Sequence, residues 1–413
     1  MVDRIKRAHN EGKPFKIWVV MPAVPAFAGD LQSEDALGTR AIMEFQYFSI
    51  SRGGHSIIET LQKAGINPKD YIGFYNLRNY DRINKSRTMG EVEQSAGVSY
   101  EEARKGHDRY VGAGYDPEGE DNGGPGLDEY QRYQRGASGI DDNTRDTVSS
   151  SYMGGPSLAE VPWDGSPEAE IDAFVTEELY VHSKLLIADD RVVICGSANL
   201  NDRSQLGTHD SEIAVVIEDP TPVETTMNGE PFVASAFAAS LRRQIFRKHL
   251  GLIPDQRWDQ PDQNWQPVNA SPNKYDWGSP SDTLVQDPLH PNFGRLWSQT
   301  ARTNTEIFSR AFHPVPNDHV RTWKDYKEFF SRHFIIPGAP APKEGQAPVS
   351  TEGKVEYGHI IREEFPGGVQ EVKEWLGQIR GTLVDMPLDF LVDVPDIAEE
   401  GLMLNSLTAE VYT

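Results

Sequence analysis

Cysteine is almost absent from this 413-residue sequence, because Cys195 in the apolar run RVVIC is the only one. A single thiol excludes an intramolecular disulfide and a zinc site built from several thiolates. Long apolar runs are also absent. The longest, IWVVMPAVPAFA at residues 17–28, contains two prolines and falls short of the roughly 20 residues that a membrane-spanning helix needs. We therefore predict that any membrane contact is peripheral.

Several signals for targeting and for common enzyme classes are missing. The first residues, MVDRIKRAHNEGKPFK, are charged throughout and lack the apolar segment of a secretory signal peptide, which predicts a cytoplasmic location. The chain has no Gly-rich nucleotide loop, no G-x-S-x-G element and no H-E-x-x-H element. Nucleotide-binding enzymes, serine hydrolases of the usual type and zinc proteases are thereby removed from consideration.

Basic residues are in deficit. The chain has 40 Lys and Arg against 63 Asp and Glu, giving a net charge of −23. Such a surface repels nucleic acid, so we predict no nucleic-acid partner. Anionic membranes are repelled as well, although a local basic site or a zwitterionic lipid escapes most of that penalty.

The apolar pattern predicts an α/β fold in which a mixed β-sheet is flanked by helices. Residues 1–98 alternate helical and strand-like segments. Residues 99–165 are rich in Gly, Asp and Ser and predict a long disordered insertion. Residues 166–252 resume the α/β pattern and end with a strongly periodic helix before Gly251. Residues 253–413 are expected to form a C-terminal extension packed on the same lobe.

One stretch, YVHSKLLIADDRVVICGSANLNDRS at residues 180–204, concentrates the chemistry. His182 and Lys184 are two residues apart, so they share one face of a β-strand. ADDR predicts a tight turn, and the returning strand carries Ser197 and Asn199 with the same spacing. Glu212 opens the following strand, where its carboxylate is expected to accept a hydrogen bond from one imidazole nitrogen of His182.

These residue types are those that a phosphodiester enzyme needs without a metal. An imidazole serves as nucleophile or as general acid and base, a lysine neutralises phosphate charge, and neutral donors bind the non-bridging oxygens. We therefore predict phosphoryl or phosphatidyl transfer, with Lys184, Ser197 and Asn199 binding phosphate and Glu212 and Asp189 orienting the catalytic groups.

The pattern His182-x-Lys184-x4-Asp189, followed by Gly-Ser-Ala-Asn at residues 196–199, resembles the second HKD motif of the phospholipase D superfamily. The wider region closely resembles eukaryotic, particularly fungal, phospholipase D. The resemblance extends to VVMPAVPAFAGDL, AIMEFQYFSISRGG and the terminal EVYT. It implies a phospholipase D-like lobe that hydrolyses phosphatidylcholine to phosphatidic acid and choline through a phosphohistidine, with transfer to primary alcohols. It also implies no metal requirement, a phospholipid surface as partner and activation by phosphoinositides.

Members of this family use two histidines, and the resemblance assigns His182 to protonating the leaving choline and later activating water. None of the other ten histidines here is followed by lysine at the second position. The sequence therefore resembles the C-terminal half of a larger enzyme, which needs the N-terminal half or a second copy of the chain. Two alternatives remain open: a catalytically incomplete or non-catalytic protein of this fold, and a nuclease of the same superfamily.

A basic segment, RNYDRINKSR, lies apart from the motif. Its four cations are candidates for contact with lipid headgroup phosphates, although an ordinary solvated loop explains them as well. They are Arg78, Arg82, Lys85 and Arg87.

Overall fold

The structure is a computed structural model. In it, the chain forms two compact units. It describes residues 1–25, 30–32, 36–82, 87–100, 102–104, 106, 126–138, 163, 165–208, 210–253, 278–335 and 353–398. The first unit is Met1–Tyr80, Val175–Pro254 and Gln260–Thr413, and the second is Asp81–Phe174 with Asp255–Asp259.

The described residues form both helices and strands. The helices are α1 (Val2–Asn10), α2 (Leu37–Ile50), α3 (Ile57–Lys63), α4 (Pro68–Tyr71), α5 (Arg87–Ala96), α6 (Gly126–Ala137), α7 (Pro167–Ala173), α8 (Asp202–Gln205), α9 (Ala236–His249), α10 (Pro280–Gln286), α11 (Pro291–Phe312), α12 (Trp323–His333) and α13 (Val369–Leu376). The strands are β1 (Ile17–Val20), β2 (Ile72–Arg82), β3 (Phe174–Glu178), β4 (Lys184–Ala188), β5 (Val192–Gly196), β6 (Ala214–Glu218), β7 (Pro222–Met227), β8 (Glu230–Ser235), β9 (Phe334–Ile335), β10 (Val355–Glu356) and β11 (Leu383–Asp385).

Two sheets of the first unit matter for the site. In the larger one, β1 pairs parallel to β2, β11 pairs antiparallel to β2, and β3 also pairs with β2. In the smaller one, β4, β5 and β6 form an antiparallel sheet in chain order. Parallel and antiparallel pairs with flanking helices confirm the predicted mixed α/β fold class.

Local signals in the sequence account for several element boundaries. Helix α3 begins with a capping box in which Ser56 and Glu59 satisfy each other's backbone amides. Helix α7 begins at Pro167 after Ser166, whose hydroxyl accepts from the Ala169 amide. Helix α9 ends two residues before Gly251, which adopts a left-handed conformation with φ of 65°. These caps explain where α3 and α7 begin and where α9 ends.

The C-terminal part of the chain completes the core of the first unit. Strand β11 joins β2, and Leu383 packs with Tyr75, Phe246 and Trp297 in one apolar cluster. The buried Asn304 side chain of α11 donates to the carbonyl oxygens of Arg380 at 2.8 Å and Leu383 at 2.9 Å. Because a buried amide must have partners, these bonds hold the strand against α11.

The second unit contains helices α5, α6 and α7. The Arg82 guanidinium, fully buried, forms an ion pair with Glu170 and lies 5.2 Å from the centre of the Trp163 ring. The Arg132 side chain of α6 donates to the carbonyl oxygen of Gly97 at 2.8 Å, just beyond α5. Helix α6 lies within residues 99–165, so part of the segment predicted to be disordered is helical. Much of that segment, and the terminal EVYT, lie outside the described residues.

Two carboxyl groups meet where the C-terminal segment crosses α2. Glu44 of α2 is hydrogen-bonded to Asp396, and the Ala398 amide donates to Glu44 Oε2 at 3.2 Å. Burial raises the pKa of Glu44 to about 7, and the hydrogen bond and negative charge of Asp396 act in the same direction. The pair therefore holds a proton well above the ordinary pH range of a glutamate.

We predict that Glu44→Gln changes how stability depends on pH. Because the pKa of Glu44 is raised from 4.5 to about 7, its contribution to stability is full below about pH 4.5 and is lost as the pH rises through 7. Glutamine keeps the neutral form at every pH. The variant should match the wild type at pH 5 and exceed it at pH 8 by about 1 kcal/mol, a value already reduced for solvent screening of this partly exposed group.

Urea denaturation at both pH values measures this difference. Glu328→Gln, which removes an exposed carboxylate from α12, is the control and should leave the difference between the two pH values unchanged. Equal stabilities of the Glu44 variant and the wild type at pH 8 would contradict the shared proton.

Candidate functional site

Five of the predicted site residues converge because the small sheet is antiparallel, whereas Asp189 lies at its opposite end. Its register places Lys184 opposite Gly196 and Gly196 opposite Ala214. The start of β4, the end of β5 and the start of β6 therefore lie at one end of the sheet. His182 and Lys184, Ser197 and Asn199, and Glu212 all belong to the segments that meet there.

His182 precedes β4 in irregular backbone and is exposed, whereas Lys184 is the first residue of the strand and partly buried. The Lys184 ammonium donates to the carbonyl oxygen of His182 at 2.6 Å. One of its three N–H donors is thus engaged, and the other two remain for an anion. The ring of Tyr180 stacks beside the imidazole, with ring centroids 6.1 Å apart and 28° between the planes.

Ser197 and Glu212 are joined across the end of β5 and β6. The Ser197 hydroxyl donates to the Glu212 carboxylate and accepts from the Ile213 amide at 3.0 Å, while the Ser197 amide donates to the Ile213 carbonyl oxygen at 2.9 Å. A Cβ at Gly196 would lie 2.3 Å from that same carbonyl oxygen, so only glycine allows this approach. The Glu212 carboxylate thus accepts from Ser197, whereas the sequence predicted a bond from the His182 imidazole.

Asn199 lies in an exposed loop that is closed by its own polar groups. The Gln205 side chain donates to the Asn199 carbonyl oxygen at 2.8 Å, and the Asn201 side chain accepts from the Ser204 amide at 3.0 Å. The first bond holds the backbone of Asn199 near the end of β5, and the second closes the same loop. The role of Asn199 as a donor to phosphate oxygens stays a prediction.

The two aspartates of the ADDR turn have different environments. Both have φ of 51°, and the Arg191 amide donates to the Ala188 carbonyl oxygen at 2.9 Å, which together form the predicted tight turn between β4 and β5. Asp189, the aspartate of the motif, is exposed at the tip. Asp190 is buried and accepts two hydrogen bonds from Arg242, each 2.7 Å long. The sequence pattern pointed to Asp189, whereas the neighbouring carboxylate makes the structural contact.

Arg242 connects this turn to the helices behind the sheet. Beyond Asp190, its guanidinium donates to the carbonyl oxygens of Val285 at 2.6 Å and Gln286 at 2.9 Å. The Asp190 carbonyl oxygen in turn accepts from the Ser235 amide at 2.8 Å, immediately before α9. The hairpin that carries the histidine is therefore tied to α9 and α10 by buried polar contacts that no periodicity in the sequence indicated.

Two arginines of the basic segment lack the exposure that the predicted contact with lipid headgroups needs. Arg78 and Arg82 belong to β2 and are 7% and 0% exposed, so they cannot meet a lipid surface. Their burial follows from the length of β2, which extends to Arg82 and so includes the first five residues of the segment that the sequence suggested to be a loop. Lys85 and the side chain of Arg87 lie outside the described residues.

Within the described part of the chain, no group of three or more His, Cys, Asp or Glu side chains has an arrangement that could hold a metal ion. None of the described helices is both long enough and apolar enough to cross a membrane.

Comparison with known proteins identifies relatives over the whole chain. A family model described as phospholipase D matches residues 157–269. Phospholipase D zeta 1 of Arabidopsis thaliana is 30% identical over 392 residues, which are 95% of this chain and 25% of that protein. Phospholipase D1 of Cricetulus griseus is 28% identical over 415 residues, which are 100% of this chain and 26% of that protein. Phospholipase D1 of Saccharomyces cerevisiae is 32% identical over 255 residues, or 62% of this chain and 10% of that protein.

The buried contact of Asp190 generates a prediction. Asp190→Asn should lower the free energy of unfolding by about 3–5 kcal/mol, because Arg242 then stays buried without its counter-charge. Asp189→Asn is a matched control, since both positions have the same φ and asparagine tolerates it. The control should change stability by no more than about 0.5 kcal/mol. Midpoints of chemical denaturation measure both, and equal losses would contradict the assignment of the structural role to Asp190.

Proposed function

Because the chain belongs to the HKD phospholipase D superfamily, we propose that it supplies one half of a phospholipase D active site. The chain spans about a quarter of the length of the first two relatives that it matches. The activity of this chain is therefore proposed from its own site. The reaction is hydrolysis of phosphatidylcholine to phosphatidic acid and choline, with transfer of the phosphatidyl group to primary alcohols.

The observation that carries the proposal is the meeting of an imidazole, an ammonium, a hydroxyl, an amide and a carboxylate at one end of the β4–β5–β6 sheet. Positive charge and neutral donors stabilise the charge that develops on a phosphoryl group in the transition state. The exposed imidazole of His182 remains accessible for proton transfer. This set of groups suits a phosphodiester, which is an anion already in its ground state, whereas an ester or an amide gains negative charge only on the way to its transition state.

The proposed reaction has two steps. A histidine from a second HKD motif attacks phosphorus, the bond from phosphorus to the choline oxygen breaks, and His182 donates a proton to the leaving oxygen. Water or a primary alcohol then attacks the phosphohistidine, and His182 accepts its proton as the bond between nitrogen and phosphorus breaks. Lys184 and Asn199 bind the non-bridging oxygens, and Ser197 with Glu212 maintains the end of the sheet.

The second histidine has to come from another polypeptide segment or from a second copy, because these 413 residues contain one His-x-Lys motif. The surface of the small sheet supports such a partner. Leu186, Ile194 and Val216 are cross-strand neighbours on one face and are 44%, 38% and 62% exposed. Leu185 and Val215 flank Cys195 on the other face and are also exposed. An apolar surface of this kind is typical of a protein interface.

A lipid substrate is favoured over a nucleic acid by what surrounds the site. Leu200 follows Asn199 and Ile213 follows Glu212, and these side chains are 79% and 76% exposed. Apolar side chains beside a phosphodiester site suit the glycerol and acyl region of a phospholipid, whereas a nuclease needs a cationic groove. The net charge of −23 argues in the same direction. We accordingly propose peripheral association with a phospholipid surface in the cytoplasm, and activation by phosphoinositides.

The second candidate function is a non-catalytic or incomplete protein of this fold, which the single motif favours. The two candidates differ in one measurable property, because only the enzyme forms a covalent phosphatidyl intermediate that an alcohol can intercept.

We predict that the full chain, mixed with phosphatidylcholine vesicles and a primary alcohol, forms phosphatidylalcohol, and that His182→Ala lowers the rate at least about 1000-fold. Product is measured by chromatography of extracted lipid. A parallel series with a phosphoinositide in the vesicles tests the activation. His55→Ala removes another exposed histidine, to which we assign no role, and should leave the rate unchanged.

Turnover that persists in the His182 variant would overturn the catalytic assignment. A folded wild-type chain that forms no product, alone or with the phosphoinositide, would favour the incomplete or non-catalytic candidate, in which the partner histidine is missing. Product that rises with the square of protein concentration would identify two copies as the source of the two histidines.

A further inference from the structure

A short loop beside His182 is held by side chains that the proposed reaction does not use. The chain leaves the carboxyl end of β1 after the Met21 amide donates to the Tyr75 carbonyl oxygen at 3.0 Å. Residues 21–25, MPAVP, then form the described part of this loop. Two prolines restrict its backbone, because each fixes its own φ. The loop therefore has few conformations of its own to lose when it is anchored.

Glu178, the last residue of β3, binds the backbone of this loop. Its carboxylate accepts from the amides of Ala23 and Val24, the second at 3.2 Å. Burial raises the pKa of Glu178, while these two amides and the nearby Arg78 lower it. From helix α2, the side-chain amide of Gln46 donates to the Pro22 carbonyl oxygen at 3.1 Å. Two distant segments thus anchor the same short loop.

Tyr180 connects the anchored loop to the histidine. Its hydroxyl donates to the Pro25 carbonyl oxygen at 2.8 Å, and its ring stacks beside the His182 imidazole. Glu178, Tyr180 and His182 alternate along the chain, so contacts to the loop and to the imidazole come from one continuous segment. A ring whose hydroxyl is fixed offers the imidazole a surface of defined position.

We propose that Tyr180 is a positioning residue for His182. The ring limits the orientations of an imidazole that is otherwise exposed and lies outside any strand, and the bond to Pro25 keeps the ring in place. Proton transfer to a leaving oxygen depends on such orientation, because small displacements of a catalytic group reduce rates strongly. The inference rests on the function proposed above, in which His182 is the general acid and base.

The direct test observes the imidazole itself. In the full chain labelled with carbon-13 at histidine Cε1, the His182 signal is identified by its loss in His182→Ala. Tyr180→Leu removes the ring current and should shift that signal by a few tenths of a ppm in the proton dimension at fixed pH, an order-of-magnitude value for a ring about 6 Å away. Tyr180→Phe keeps the ring and should give an intermediate position, because only the bond to Pro25 is lost.

A second Tyr–His pair in the chain provides a matched control. Tyr71 contacts His9, with ring centroids 5.8 Å apart and 3.1 Å between the hydroxyl oxygen and Nδ1. Tyr71→Leu should move the His9 signal and leave the His182 signal in place. This control separates a local ring contact from a general change of fold, which circular dichroism monitors in every variant.

The kinetic arm uses the formation of phosphatidylalcohol. Tyr180→Leu should lower kcat about tenfold with KM changed less than about twofold, since orientation in the transition state is lost and lipid binding is retained. Tyr180→Phe should recover most of that loss, with kcat reduced about threefold. Tyr71→Leu should leave both constants unchanged.

The two arms distinguish failure of this inference from failure of the proposed function. An unchanged His182 signal in folded Tyr180→Leu overturns the positioning role whether or not the chain is active. A shifted signal with unchanged kcat also overturns it. If the wild-type chain forms no product, a shifted signal supports the contact between the two rings, and the proposed function alone has failed.

Discussion

The buried ion pair between Asp190 and Arg242 is the contact on which the geometry of the site depends. It joins the turn between β4 and β5 to α9, and the remaining donors of Arg242 reach the carbonyl oxygens at the end of α10. A buried charge pair contributes little net stability compared with apolar packing, but breaking it is costly. Its value here is positional, because the hairpin with His182 and Lys184 at its start has one orientation that satisfies both charges. The site residues lie at the opposite end of that hairpin, so the register of the sheet fixes their orientation together with that of the turn.

The small sheet combines this rigid attachment with an unusual surface. At its turn end, Asp190 and Val193 are buried, 3% and 0% exposed. Towards the end that carries the site, apolar side chains are exposed on both faces. The polar contacts of Asp190 explain how such a sheet is held at its turn end although many of its apolar side chains are exposed. The predicted site residues lie at the same end as exposed apolar side chains such as Leu200 and Ile213.

The surroundings of His182 are assembled from distant segments of the chain. The loop after β1, the end of β3 and helix α2 meet through hydrogen bonds between side chains and backbone, and Tyr180 connects that assembly to the imidazole. None of these contacts depends on the residues that define the motif. The motif residues and the residues that hold them in place are therefore separate features of the sequence. Only the motif residues lie close together in it.

The sequence by itself determined much of the local structure. Helix α9 with Gly251, helix α7 with its serine cap, strands β4 to β6 and the turn between them follow from periodicity and capping, which act over a few residues. The position of α11 was not predicted, although His290 and Pro291 start it and Phe293, Trp297 and Ala301 repeat at helical spacing. Composition and the spacing of His182, Lys184, Ser197 and Asn199 were also sufficient to indicate phosphodiester chemistry.

Only the tertiary structure decided the partners of these residues. Several of these contacts join residues that are far apart in the chain, such as the bond from Ser197 to Glu212 and the contact between Tyr180 and Pro25. The folded structure also decided that Asp190 and not Asp189 is buried, and that Arg78 and Arg82 are buried. Such contacts depend on which elements pack together and in what register. The residues next to a given position in the sequence do not indicate either. The physical reason is that periodicity reports the face on which a side chain lies, whereas its partner is set by the folded chain as a whole.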